Sequence, residues 1–179
     1  MTVTRDSGVT FGFGGGGILP GAQTGYTTVA TGSELISQGP IAVDTPHQIT
    51  FGTPINITND IDIAANGEFT CNVAGEYLFF MTLNYARTSP TGTSQMHVRV
   101  LFDGVQLGGS GDNYFTNQND KLSKSTSFVL GMTVGQVLTI ELLRDSTGAN
   151  DGGLEATNPT PVDWNTTPSA GMVIYKPTA

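Results

Sequence analysis

Apolar and polar residues alternate with a period of two along most of the chain after residue 46. In the clearest segment Met96, Val98 and Val100 lie on one face, with His97 and Arg99 on the other. Similar alternation, or the continuous apolar run typical of a strand covered on both sides, recurs at 47–51, 55–57, 61–63, 69–73, 77–85, 126–130, 137–143 and 172–175. No window has a convincing 3.6-residue period. The pattern therefore predicts an all-β fold, a jelly-roll β-sandwich of about 8–10 strands.

Turn residues separate these segments at nearly regular spacing. The dipeptide Asp103-Gly104 predicts a tight hairpin turn, and residues 134–135 mark a turn before the next apolar run. Two stretches, 108–124 and 145–169, are rich in Gly, Asn, Asp and Pro, so we predict that both are long surface loops. On this basis the jelly-roll domain is predicted to span 47–179.

The first 46 residues have a different character. Four consecutive glycines, 14–17, carry a large entropy cost on ordering, yet apolar residues flank them on both sides. A free linker does not need such residues, so the pattern favours an arm that orders against a partner over a frayed terminus. We therefore predict an extended Gly-rich N-terminal arm over 1–46. Its predicted partner-binding residues are Phe11, Phe13, Ile18, Leu19 and Tyr26.

Composition and charge narrow the classes of partner. Charged residues are 12% of the 179 residues and the net charge is −8, with seven Lys and Arg that form no cluster. Nucleic-acid binding is therefore not expected, because no basic patch could follow a phosphate backbone. No apolar stretch reaches the roughly 18 residues needed to span a bilayer, and the start lacks a signal-peptide pattern. We expect no membrane partner and assembly in a cytosol. The single Cys71 is interpreted as a small buried apolar residue.

Candidate chemistry is sparse. The only histidines, His47 and His97, are fifty positions apart, and neither a G-x-S-x-G nor an H-E-x-x-H motif occurs. A formal G-x-G-x-x-G at 12–17 is followed by Pro20-Gly21 rather than by a helix, so it does not predict a dinucleotide site. A cupin-like metalloenzyme is disfavoured for lack of closely spaced histidines. The sequence predicts a protein that is not an enzyme and that needs no cofactor.

Loop residues could still bind ligands. Five acidic residues could supply oxygen to Ca²⁺, but their spacing is not that of an EF-hand, and we interpret them as solvated. They are Asp112, Asp120, Asp145, Asp151 and Glu155. Trp164 is either an exposed ligand platform or a lid over one end of the sandwich. If the loops bind a ligand, Asn113, Tyr114 and Trp164 are the candidates.

The order of several motifs resembles the globular heads of the complement C-one-q and tumour-necrosis-factor superfamily. These motifs are Gly67-Glu68-Phe69-Thr70, Gly75-Glu76-Tyr77-Leu78-Phe79, the segment 98–104 that ends in Asp103-Gly104, the segment 128–137, and Ala170-Gly171-Met172-Val173-Ile174-Tyr175. The match covers about residues 55 to 176. It departs from the family at Gln136, where an acidic residue is usual. The resemblance implies a ten-stranded jelly roll that assembles as a homotrimer.

A second resemblance concerns the type of protein. A short, nearly uncharged, Gly-rich segment with apolar anchors before a jelly roll is similar to small virion proteins of tailed bacteriophages. This implies a non-enzymatic, homotrimeric capsid cement or decoration protein. Such a protein would bind the major capsid protein through its arm, be assembled in the host cytoplasm and reside in the virion. The alternative is a receptor-binding tip of a tail fibre or spike that binds a host-surface glycan.

Overall fold

The computed structural model describes residues 25–39, 41–87, 92–117, 120–149, 151–161 and 163–178. Every regular element in these ranges is a β-strand. In chain order the strands are β1 (Gly25–Glu34), β2 (His47–Gln48), β3 (Ile55–Asn56), β4 (Ile61–Ile63), β5 (Phe69–Cys71), β6 (Gly75–Ala86), β7 (Ser94–Phe102), β8 (Val105–Phe115), β9 (Lys121–Met132), β10 (Val137–Ala149), β11 (Gly153–Leu154) and β12 (Ala170–Thr178). The predicted all-β class is confirmed.

The strands form two antiparallel sheets that pack face to face. In the first sheet β6 lies between β9 on one side and β12 with β11 on the other, and β1 and β3 continue outward from β12. In the second sheet β10 lies between β7 on one side and β5 with β2 on the other, β8 flanks β7, and β4 flanks β5. Neighbouring strands are distant in sequence, as in a jelly roll. The predicted jelly-roll sandwich is therefore confirmed.

The core lies between the two sheets and is apolar because period-two alternation sends every second side chain inward. Aromatic rings run across it: the ring centroids of Phe51 and Phe69 are 5.3 Å apart, and those of Phe79 and Phe128 are 5.1 Å apart and stacked. Cys71 is fully buried, and this burial raises the pKa of its thiol. The interpretation of Cys71 as a small buried residue is confirmed.

The predicted arm, residues 1–46, overlaps the sandwich, so the predicted boundary at residue 46 is wrong. Strand β1 lies inside the first sheet and pairs with β12 from Gly25 to Glu34. Its alternation is hard to read in the sequence, because outward positions 28 and 31 are threonines and an irregularity between Thr28 and Ala30 shifts the period. The sandwich therefore includes residues from 25 onward. Residues 1–24 lie outside the described residues.

The predicted loop at 108–124 is also wrong, and the one at 145–169 is too long. Strands β8 and β9 occupy most of the first stretch, and β10 extends into the second as far as Ala149. Glycine-rich segments have a low intrinsic preference for strands. β8 and β9 nevertheless form strands here, because their backbones hydrogen-bond to β7 and β6 respectively. The hairpin turn at Asp103-Gly104 and the turn at 134–135 are found where predicted.

Candidate functional site: an uncharged face on the first sheet

The outer surface of the first sheet carries large apolar side chains that the other described residues leave exposed. Along β6, Tyr77, Phe79 and Met81 point into the core, so the residues between them point outward. Cross-strand partners share a face, and this register sets the neighbours of each outward residue. Leu78 lies between Val129 of β9 and Tyr175 of β12.

The next row on this face centres on Phe80, which lies between Ser127 and Val173. Phe80 is 44% exposed and Val129 is 43% exposed. At the β1 side Tyr26 is 51% exposed, and its ring meets that of Tyr175 edge to face with centroids 6.5 Å apart. Exposed apolar residues that adjoin one another on a flat sheet mark an interaction surface rather than ordinary scatter. We call the set Tyr26, Leu78, Phe80, Val129, Val173 and Tyr175 the apolar face.

The polar groups on the same surface are hydroxyls. They belong to Thr28, Thr31, Thr82, Ser125 and Ser127. The hydroxyls of Thr82 and Ser125 are 2.9 Å apart and share a hydrogen bond. The three rows that centre on Leu78, Phe80 and Thr82 hold no charged residue, and Glu76 lies one row beyond them. A partner can therefore cover this surface without desolvating an ion, which is the costly step in burying polar surface.

The end of β12 is held by an ion pair rather than left as a free cation. The Lys176 ammonium donates to Asp60 Oδ2 at 2.5 Å and lies 5.5 Å from the centre of the Tyr77 ring. The hydrogen bond to Asp60 raises the pKa of Lys176, and burial raises the pKa of Tyr77. Tyr77 donates its hydroxyl proton to the Val73 carbonyl. These groups serve to close one end of the sandwich beside the apolar face.

The structure separates the residues that the sequence predicts as binding sites. Of the predicted arm contacts, Tyr26 lies on the apolar face, while Phe11, Phe13, Ile18 and Leu19 lie outside the described residues. The structure therefore brings only Tyr26 into a described surface.

The predicted loop ligands lie in three different settings. Asn113 is buried, so its side chain is not available to a surface ligand, contrary to the prediction. Tyr114 is 58% exposed on the outer surface of β8 in the second sheet. Trp164 is 69% exposed in the segment before β12. Alternation along β8 is the reason that adjacent residues Asn113 and Tyr114 point to opposite sides.

Sequence reasoning missed Phe80, Val129, Val173 and Tyr175. The continuous apolar run 77–85 did carry the signal, since it predicts a strand covered on both sides. Among the described residues, only the core side of β6 is covered. The apolar run is thus the sequence signal that could have located the apolar face.

The candidate metal ligands do not converge. Among the described residues, no group of three or more His, Cys, Asp or Glu lies close enough to hold a metal ion. Asp112 lies 3.7 Å from His97 Nδ1, and Glu155 contacts Lys121 at 2.6 Å. Within the same described ranges, no helix is long and apolar enough to cross a membrane.

Comparisons with known proteins bear on the fold alone. No protein-family profile and no curated protein sequence matches the chain. Among solved structures, the fold is similar to that of Eiger TNF from S. frugiperda, with a TM-score of 0.50 and 11% sequence identity. The alignment covers 86% of this chain and 93% of that one. This likeness supports the jelly roll of tumour-necrosis-factor type that the sequence motifs imply.

Proposed function

We propose that this protein is a non-enzymatic structural protein that assembles as a homotrimer through the apolar face of its first sheet. The observation that carries the proposal is the uncharged surface of Leu78, Phe80 and Val129, which the other described residues leave exposed on the first sheet. A monomer gains nothing from exposing these side chains, whereas a self-association contact buries them. Three-fold assembly is the arrangement that the tumour-necrosis-factor resemblance implies.

We further propose that the trimer is a capsid cement or decoration protein of a tailed bacteriophage. In this proposal residues 1–24, with their apolar anchors, attach it to the major capsid protein and so stabilise the shell. The chain enters β1 at Gly25, directly beside the C-terminal strand and next to Tyr26 of the apolar face. A segment of 24 residues spans at most about 80 Å when extended, enough to cross a neighbouring subunit and reach a partner.

The test compares the full chain with a variant that lacks residues 1–24. Light scattering should show a trimer for both proteins: about 56 kDa for the full chain, three times 18.7 kDa, and a correspondingly lower mass for the shortened variant. Only the full chain should bind capsid shells purified without it. The deletion ends before β1, so the sandwich should remain folded. Equal binding by the two proteins contradicts the attachment role, and a full chain that stays monomeric contradicts the assembly role.

The alternative of a receptor-binding tip remains a prediction. Its support is the exposure of Tyr114 and Trp164, two large aromatic side chains away from the apolar face. Immunogold labelling of particles separates the two locations, because a decoration protein marks the shell and a fibre tip marks the tail.

A further inference from the structure

Strand β9 forms a long edge of the first sheet that the other described residues leave unpaired. It hydrogen-bonds to β6 on one side, and within the described ranges no strand lies on its other side. Every second residue of such an edge presents its backbone N–H and C=O groups outward, where another strand can pair with them. The edge is 12 residues long, whereas β3, at the opposite edge of this sheet, has only 2 residues.

β9 lacks the features by which proteins usually protect an edge strand. Its pairing with β6 is continuous along the whole strand, without a bulge. It contains no proline, and its two charged residues, Lys121 and Lys124, lie near its start. The edge strand of the second sheet, β8, differs, because its register with β7 shifts between Val98 and Val100 and the strand bulges there. A regular, uncharged edge such as 125–132 is open to the addition of a strand.

The core is also incompletely covered along β9. On the core side of β6, Tyr77 and Phe79 are fully buried. Their cross-strand partners on β9, Leu130 and Phe128, are only half-buried. Leu122, on the same side of β9, is 42% exposed. A strand added to this edge would therefore cover apolar side chains as well as backbone groups.

The segment before β1 has the residue pattern that fits this edge. Val9, Phe11 and Phe13 alternate with Thr10 and Gly12. In an extended strand the three apolar side chains would point to one side and could pack beside the half-buried residues of β9. The two small residues would point to the other side and continue the uncharged outer surface. The segment carries no charge, as the edge carries none.

The length of the segment allows it to reach the edge of a neighbouring copy. Phe13 and Gly25 are 12 residues apart in the sequence, so up to about 40 Å of extended chain is available between them. The apolar face includes both Tyr26, at the start of β1, and Val129 of β9. In the assembly proposed above, the segment of one copy therefore begins at the contact that borders the β9 edge of the next.

The β9 edge of the same chain is a less favourable position. β12 and β6 separate β1 from β9, so the segment would have to cross the outer surface of its own sheet. The part that crosses would include glycines 14–17, which have no side chains to pack on the apolar residues beneath them. Binding to a second copy avoids this crossing and leaves the apolar face available for assembly.

We propose that residues 9–13 of one copy add as a strand to the β9 edge of a neighbouring copy, with Phe11 and Phe13 packed beside Phe128 and Leu130. The inference rests on the proposed self-association, because a neighbouring copy supplies the edge. It gives part of the arm a partner inside the assembly, and the remaining arm residues stay available for the capsid contact.

Hydrogen exchange followed by mass spectrometry tests this contact in the purified protein without capsids. The outward amides within 125–132 should exchange about tenfold more slowly in the full chain than in a variant that lacks residues 1–24. Phe11→Asp should raise their exchange to that of the deletion variant. Ser7→Asp, which adds the same charge outside the alternating run, should have no effect. Peptides from β8, the other long edge strand, should exchange alike in all these proteins.

Photo-cross-linking identifies the copy that supplies the edge. A photoreactive benzoylphenylalanine in place of Phe11 keeps an aromatic side chain at this position and captures its neighbours. The experiment uses unlabelled and heavy-isotope chains that are refolded together. Cross-links from position 11 should reach β9 and should join labelled to unlabelled chains.

Three results would overturn the inference. They are equal exchange of 125–132 in the full chain and the deletion variant, cross-links that do not reach β9, and cross-links confined to single chains. Light scattering separates these results from a failure of the proposed self-association. A trimer whose β9 edge is unprotected removes this inference alone, whereas a monomeric full chain removes both.

Discussion

Replacing Phe80 with Asp is the sharpest perturbation of the proposed assembly. Phe80 is central in the apolar face, and its outward position means that the substitution does not enter the core of the single chain. A phenylalanine side chain exposes roughly 200 Å², so the 44% that is uncovered corresponds to about 90 Å² available to a partner. At about 25 cal/mol per Å², its burial contributes roughly 2 kcal/mol per subunit.

The carboxylate adds a second cost, because the central rows of the face offer no cation to pair with it. An unpaired charge in a desolvated contact costs about 3 kcal/mol or more. The two effects sum to about 5 kcal/mol per subunit, or about 15 kcal/mol per trimer. Since trimer dissociation depends on the square of concentration, the concentration of half-assembly should rise by about five orders of magnitude.

Sedimentation velocity over about a hundredfold range of micromolar concentration tests this expectation: the native chain should be trimeric and the Phe80→Asp variant monomeric across the range. The matched control is Val105→Asp, which puts the same charge on a residue that is 68% exposed beside the β7–β8 hairpin turn of the other sheet. The control should remain trimeric, and both variants should keep native circular dichroism. A Phe80→Asp protein that assembles like the native chain refutes the role of the apolar face.

Two further predictions concern the stability of the sandwich. Gly67→Ala should lower the free energy of unfolding in urea by about 2–4 kcal/mol, because φ is +89° and the new Cβ would lie 2.0 Å from the Ile49 carbonyl oxygen. The control Gly104→Ala, at φ +79° in open space, should lower it by only about 1 kcal/mol. Equal losses in the two variants would contradict this account. Burial raises the pKa of Tyr85 from 10.0 to about 12, so the folded chain keeps the phenol proton to higher pH than the unfolded chain does. The contribution of Tyr85 to stability is therefore complete below about pH 10 and should be lost, by roughly 2–3 kcal/mol, as the pH rises to about 12. Tyr85→Phe should lack this part of the alkaline decline but keep the part due to Cys71, Tyr77 and Lys176, whose pKa values are also raised. A decline as steep as that of the native chain would be the contrary result.

Local patterns in the sequence were sufficient for the fold class. The alternation around Met96 and Val98 predicts a strand because a period of two is a property of the extended backbone itself. The turn at Asp103-Gly104 was equally predictable, because the turn needs φ > 0 at both residues and the structure has +49° and +79°. Strand alternation and hairpin turns depend mainly on residues that are adjacent in the sequence.

Strands whose own residues favour turns were not predictable in this way. β8 contains Gly108, Gly109 and Gly111, and β1 has threonine at outward positions 28 and 31. Both exist because a distant strand supplies their hydrogen bonds: β8 pairs with β7, and β1 pairs with β12 at the far end of the chain. Register also decided that Asn113 is buried and Tyr114 exposed, which composition could not reveal.

By itself, then, the sequence determined that the chain forms short alternating strands and that its core is apolar, and it predicted a strand covered on both sides at 77–85. Only the tertiary structure decided which side of β6 is buried against the second sheet. Packing of the second sheet satisfies Tyr77 and Phe79, whereas Leu78 and Phe80 are left on the outside. The physical reason is that alternation depends only on adjacent residues. The face that meets the core depends instead on how distant strands pair, which no local pattern specifies.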